Sequence, residues 1–163
     1  MLIGRRQEIE LLKRISQDDN SHFVAVYGRR RIGKTFLIRE SFDYRFTFQH
    51  AGLSEGGMKE QLFAFVSSMK DVGYFYKRNP KNWLEAFEGL KDLVRQSNER
   101  RKIIFIDELS WMDTQKSDLM VAWRIFGMGL HQHVKISFSL YVHQQHHGCS
   151  QRGYTTKADC ITD

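Results

Sequence analysis

The sequence predicts an α/β fold: a parallel sheet with flanking helices, incomplete towards its C-terminal end. Three observations predict it. Short runs rich in β-branched and aromatic residues alternate with longer segments whose apolar residues recur at helical spacing. A glycine-bounded loop, GRRRIGKT, joins the first such run to the helical segment after it. A later run, IIFIDE, is almost wholly apolar and ends in two adjacent carboxylates. The length, 163 residues, allows one domain with a core but not two.

Each element follows from local pattern. Residues 1–17 open on a short apolar entry, and Glu8, Ile9, Leu11, Leu12 and Ile15 then mark an amphipathic helix. Turn formers at 18–21 precede HFVAVY (22–27), which reads as a buried strand. After GRRRIGKT (28–35), the spacing of Phe36, Leu37 and Ile38 starts a second helix. RFTFQH (45–50) reads as a second strand, and residues 54–57 as a loop. Leu62, Phe63, Phe65, Val66 and Met69 place a helix over 58–69. The single proline, Pro80, precedes a helix over 82–96 with Trp83, Phe87, Leu90 and Val94 on one face. IIFIDE (103–108) is the third strand.

Composition sets the class. Hydrophobic residues are 41% and charged ones 27%, as in ordinary globular domains rather than disordered or fibrous chains. No apolar run approaches the roughly 20 residues of a membrane helix, and MLIGRRQEIELL carries charge where a signal peptide is apolar. A cytoplasmic protein without membrane contact is expected. The formal charge of +6 suits a nucleic-acid partner, but a modest cationic excess is also common in soluble domains. Two cysteines, Cys149 and Cys160, make neither a disulfide framework nor a metal-binding spacing.

The strongest chemical signal is Gly28-x4-Gly33-Lys34-Thr35 between a predicted strand and a predicted helix, the context that a phosphate-binding loop requires. Glycines let the backbone wrap a phosphate, so that N–H groups and the helix N-terminus face the anion. Lys34 would reach the β and γ phosphates, and the Thr35 hydroxyl would ligate Mg²⁺. Phe36, next in the helix, is grouped with the nucleotide-binding residues. Asp107, at the strand end about 70 residues on, would hold Mg²⁺ through water opposite Thr35. Glu108 would polarise an attacking water as general base, with Lys34 as its catalytic companion. The bland alternative is that the two carboxylates cap the next segment. The guanine-reading Asn-Lys-x-Asp string is missing, so ATP is favoured over GTP. Arg29, Arg30 and Arg31 touch phosphates or face solvent. Trp111 reads as packing rather than a base platform, and His22 and His50 as strand-end residues without a special role.

The strings IGRRQEIELL, YGRRRIGKTFLIRE, FQHAGLS and IIFIDELSWMDT resemble the archaeal-type ATPases, P-loop proteins of the AAA/STAND-like branch, over residues 2–122. The resemblance implies an incomplete P-loop NTPase domain of the ASCE/AAA-like kind, with ATP and Mg²⁺ as cofactors and the phosphate-loop strand inside the sheet. It implies that Gly4, Arg5 and the first helix lie near the adenine. It further implies a core strand with a polar sensor residue, followed by helical, winged-helix or nuclease-like parts. Any DNA contact of that kind would come through parts missing from this chain. Two other functional classes stay open: an ATP-switched DNA-binding or regulatory module, and a truncated product without function of its own. A small-molecule kinase fits less well, because Glu108 beside Asp107 suits activation of water.

Residues 123–163 break the pattern. Five of seven histidines fall there (His131, His133, His143, His146, His147), with both cysteines and only two acids. A Zn or Ni site is one reading. A shifted reading frame is the other, and the genetic code tests it, although most codon junctions permit two to four residues. The third base of each codon with the first two of the next allows LEDFWNGxASARKD over 122–136 and ILLIVCSSATSWM over 136–149. The Met128–Gly129 junction forces Gly, Leu140–Tyr141 allows only Leu, Ile or Val, and Asp159–Cys160 forces Leu. Those strings look like the family's sensor strand and its continuation. The expected organisation is therefore 1–122 as the N-terminal part of the domain and 123–163 as an off-frame tail with no domain. Weak or edge pairing is expected over 134–142, since Lys135, Ser137 and Ser139 interrupt the apolar residues, with disorder from Gly148 onward.

Overall fold

Helix α1 (Arg6–Gln17) buries Leu12 and Ile15, with Glu8 in its first turn and Arg14 in its last, complementing the helix dipole. It packs beside α2 (Lys34–Ser41), which buries Leu37 and Ile38. Both are seen in a computed structural model that describes residues 5–17, 21–27, 32–114, 117–130, 136–142 and 158–161. The remaining elements are β1 (His22–Tyr27), β2 (Phe48–Ala51), α3 (Met58–Asp71), α4 (Trp83–Gln96), β3 (Lys102–Asp107), α5 (Leu109–Met112), α6 (Leu119–Leu130), β4 (Ile136–Val142) and β5 (Ala158–Ile161).

The five strands form one parallel sheet in the order β2-β3-β4-β1-β5. Side chains alternate across a strand, and β3 shows what that does here. Phe105 joins Leu12, Val24, Val26, Leu37, Ile38 and Phe42 in one apolar cluster, with α1 and α2. Ile104 and Ile106 join a second cluster with α3, α4 and α6, built around Phe65, Trp83 and Phe87. Buried on both sides, the middle of β3 must be apolar at every position, and it is.

Several boundaries move relative to expectation. The second strand begins at Phe48 rather than at residue 45, and the chain enters it with the Thr47 N–H donating to the Ile103 carbonyl. Strand β3 stops at Asp107, because Glu108 takes a left-handed backbone (φ 51°) and caps α5. Helix α4 starts at Trp83, with the Asn82 side chain accepting from the Glu85 N–H at 2.8 Å.

Two expectations about the C-terminal part are corrected. Instead of pairing weakly at an edge, residues 136–142 form β4 between β1 and β3, with His22 opposite Ser137 and Lys102 opposite Ile136. Pairing is a main-chain property. β1 and β3 do not bond to each other, and a strand in the slot satisfies the N–H and C=O groups of both. Ser137 and Ser139 do not prevent that. Instead of disorder, residues 158–161 form β5, which extends the sheet beyond β1. The rest of the segment from Gly148 lies outside the described residues.

Helix α6 also runs unbroken across residue 122, and Trp123 and Phe126 are buried in the larger cluster. Among the described residues, no helix is long and apolar enough to cross a membrane.

Gly89, on the buried side of α4, is required by a close approach. A Cβ there would lie 2.2 Å from the Tyr76 ring, whose hydroxyl donates to the Ala86 carbonyl at 2.6 Å. Burial and the neighbouring Tyr74 and Asp92 push the Tyr76 hydroxyl above the usual phenol range, so it stays a donor. Gly89→Ala is expected to destabilise the protein by about 1–2 kcal/mol, although Ala favours a helix by up to ~1 kcal/mol. Urea unfolding measures this. A stabilised variant would mean that Tyr76 does not sit on the helix.

Candidate functional site

In a parallel sheet all strands end at the same pole, and ligands of open α/β proteins collect there. Strands β1 and β3, separated only by β4, deliver to that pole the two sequence segments singled out for chemistry. From β1 the chain leads through residues 28–33 into α2; from β3 it leads through Asp107 into α5.

Gly33 has φ 79°, a left-handed conformation that a glycine adopts without strain, and its carbonyl accepts the Leu37 N–H as the first bond of α2. Lys34, the first residue of α2, is buried. Thr35 follows, and its hydroxyl donates to Asp107 Oδ2 at 2.8 Å across 72 residues of sequence. The other carboxylate oxygen, Oδ1, accepts the Glu108 N–H at 3.1 Å. Asp107 is thereby oriented from both sides.

Of the residues expected at the site, the structure brings Gly33, Lys34, Thr35, Asp107 and Glu108 to this end of the sheet. Phe36 is on α2 with its side chain 42% exposed. Gly28 and Arg29 to Arg31 lie outside the described residues, as do Gly4, Cys149 and the five histidines of the C-terminal segment. Among the described residues no group of three or more His, Cys, Asp or Glu side chains could hold a metal. Mg²⁺ needs no such cage: it keeps waters and takes one or two protein oxygens, the donor type that Thr35 and Asp107 offer. The residues present fit it.

A second layer of support was not expected from sequence. Gln61 of α3 is fully buried and makes four hydrogen bonds. Its Oε1 accepts the Leu53 N–H at 3.0 Å, and its Nε2 donates to the carbonyls of Leu53 (2.7 Å) and Trp111 (3.0 Å), with the Gly56 carbonyl at 3.3 Å sharing one of its two hydrogens. The Trp111 N–H in turn donates to the Glu108 carbonyl at 3.0 Å. Gln61 therefore ties the loop after β2 to the turn that carries Glu108. Gly52 completes the contact: its N–H donates to the Asp107 carbonyl at 3.0 Å, and a Cβ there would lie 2.6 Å from the Glu108 carbonyl oxygen. The signal for Gln61 was present in the sequence, a lone amide four residues before Phe65 on the apolar face of α3.

His50 lies near the end of β2, as its reading as a strand-end residue expects. It is buried, with Nδ1 2.9 Å from the Ser68 hydroxyl and its ring edge-on to Phe65. Burial lowers its pKa to about 4. Trp111 is half-buried and contributes its carbonyl to Gln61.

Fold and site together define an α/β protein with a helix N-terminus, a hydroxyl and a carboxylate meeting at the carboxyl ends of its strands. The chain is similar to proteins of Methanocaldococcus jannaschii. It is 40% identical over 40 residues to the uncharacterized ATP-binding protein MJ0423, a match covering 24% of this chain and 68% of that protein. It is 31% identical over 108 residues to the uncharacterized protein MJECL04, covering 66% of this chain and 22% of that one. The chain thus spans about a fifth of the length of MJECL04. By the extent of the first match it belongs to the same family as MJ0423. No protein-family model matches the chain.

Proposed function

We propose that residues 1–122 are the N-terminal part of a P-loop ATPase domain that binds ATP with Mg²⁺. One observation carries the reading: the Thr35 hydroxyl and the Asp107 carboxylate, 72 residues apart in sequence, meet at 2.8 Å beside Lys34. The name of the relative MJ0423, an ATP-binding protein, supports it. In this reading Gly28, Gly33 and the first turn of α2 hold phosphate through backbone N–H groups, and Lys34 adds a positive charge. Phe36 belongs to the same nucleotide-binding segment. Thr35 and Asp107 hold Mg²⁺, which when bound supplies positive charge to the phosphates. Glu108 accepts a proton from the attacking water in the intact parent. Gln61, through Trp111, keeps the Glu108 turn in place. The chain alone is expected to bind nucleotide weakly and to hydrolyse it slowly or not at all. Loss of charge stabilisation from a sensor residue and an arginine finger can cost on the order of 10³–10⁵ in rate.

Titration of the full chain with a fluorescent ATP analogue, with and without Mg²⁺, tests the reading. Lys34→Ala is expected to weaken binding about 10- to 100-fold, the worth of a charged hydrogen bond. Equal affinity of Lys34→Ala and the native chain, or binding indifferent to Mg²⁺, would sink it.

The shifted frame over 123–163 is part of the same proposal. Sequencing of the DNA over codons 115–163 decides it. An alternative frame that stays open past codon 163 supports a longer parent ATPase. An alternative frame closed by stops removes the idea, and the histidine cluster should then be tested for Zn.

A further inference from the structure

The opposite pole of the sheet, where the strands begin, has a different character. The register sets Lys102 of β3 beside Ile136 of β4 and, one residue further on, His22 of β1 beside Ser137, and the Thr47 N–H reaches the Ile103 carbonyl. Everything just before β2 and β3 therefore gathers there. Arg45 precedes β2, Arg100 and Arg101 precede β3, and Lys102 opens it. At the far side Arg14, in the last turn of α1, lines a recess with His22. Adjacent strands lie about 4.8 Å apart, so these cations extend over roughly 15 Å or more.

None of the five makes an ion pair with a described residue. Four of the five are arginines, whose planar forks match phosphate oxygens better than lysine does. Three acids lie nearby: Glu99, whose carboxylate accepts the Thr47 hydroxyl, Glu40, which bonds Tyr44, and Asp43, the neighbour of Tyr44 in sequence. Tyr44 stands beside Arg45 with a positive φ of 58° and its side chain 54% exposed. Its hydroxyl is hydrogen-bonded to the Glu40 carboxylate, and an exposed ring held beside unpaired cations suits a stacked base, which is free to stack only in a single strand.

We propose that this pole, formed by Arg14, Tyr44, Arg45, Arg100, Arg101 and Lys102, binds single-stranded nucleic acid. The cations contact the phosphate backbone, and Tyr44 stacks on a base. The surface is at the end of the sheet away from Thr35 and Asp107, so it does not depend on the ATP reading.

The test is fluorescence anisotropy of the full chain with a labelled 20-nucleotide single strand, of DNA and then of RNA, from 50 to 200 mM salt. Affinity should fall with a log–log salt slope of about −2 to −4, near −0.7 for each of three to five phosphates. Arg100→Glu with Arg101→Glu should weaken binding at least ~10-fold. Lys59→Glu with Lys81→Glu, the same change of charge at exposed positions elsewhere, should weaken it less than ~3-fold. Tyr44→Ala should cost roughly 5-fold or more and narrow any preference over duplex, as loss of one stacked base predicts. Melting curves confirm that each variant is folded.

No binding at 50 mM salt, or an equal loss in the control pair, would overturn the proposal. Polyglutamate competing as well as the oligonucleotide would also overturn it and indicate an acidic protein partner. Duplex bound as tightly as single strand, with Tyr44→Ala neutral, would overturn the single-strand assignment.

Discussion

Phe87→Ala is expected to cost the fold about 3–5 kcal/mol, the largest single-residue effect foreseen in this protein. Phe87 is almost fully buried on α4, and four rings surround it: Phe65 at 5.7 Å between centroids, Trp83 at 6.2 Å, and Trp123 and Phe126 each at 5.4 Å. Truncation would leave a cavity walled by large, stiff side chains that collapse poorly. The lost transfer energy and the cavity would then add. The contact with Trp123 is edge-on, an arrangement worth about 0.5–1.5 kcal/mol beyond the area it buries. A double-mutant cycle between Phe87→Ala and Trp123→Ala, read by urea unfolding, should show that coupling. The cycle also bears on the C-terminal segment. Trp123 lies just past residue 122, and zero coupling would mean that α6 does not pack on α4 in solution.

The second large effect is on acid stability. His50 titrates at about 4 in the folded chain because burial disfavours its charged form, against 6.5 for an ordinary imidazole. With the folded pKa below the unfolded one, the unfolded chain takes up the proton first. The contribution of His50 is fully present above pH 6.5 and is lost as pH falls towards 4. The loss amounts to about 3 kcal/mol between pH 7 and pH 4. Carboxylates titrate in part of the same window, so the diagnostic quantity is a difference between variants. Stability of the native chain should fall more steeply from pH 7 to pH 5 than that of His50→Gln, which keeps a polar group near Ser68 but cannot titrate. Parallel curves would place the ring in water.

Much of the framework was legible because it is encoded locally. The apolar spacing of α3 and α4 and the continuous run of β3 follow from which faces are buried, and each element keeps its own record of that. Helix α4 starts within a residue of expectation because Asn82 caps it. The second strand begins later than its pattern suggests because Phe46 looks like a strand residue. It instead packs its ring against Phe42 and Phe105 before the strand begins. Glu108 looked like the end of a strand because nothing local announces a left-handed backbone at a glutamate.

By itself the sequence determined the α/β alternation, the glycine-lysine-threonine turn into α2 and the carboxylates at the end of β3. All three are short-range patterns, set by backbone preference and periodicity. Only the tertiary structure decided that Thr35 and Asp107 stand 2.8 Å apart, that β4 fills the slot between β1 and β3, and that Gln61 and His50 are buried. Each of these depends on residues remote in sequence. Strand order is settled by main-chain hydrogen bonds, which every residue type except proline can make, so side-chain pattern carries little information about it. A buried polar group is likewise defined by the partners that reach it, and the partners of Gln61 come from as far away as Trp111.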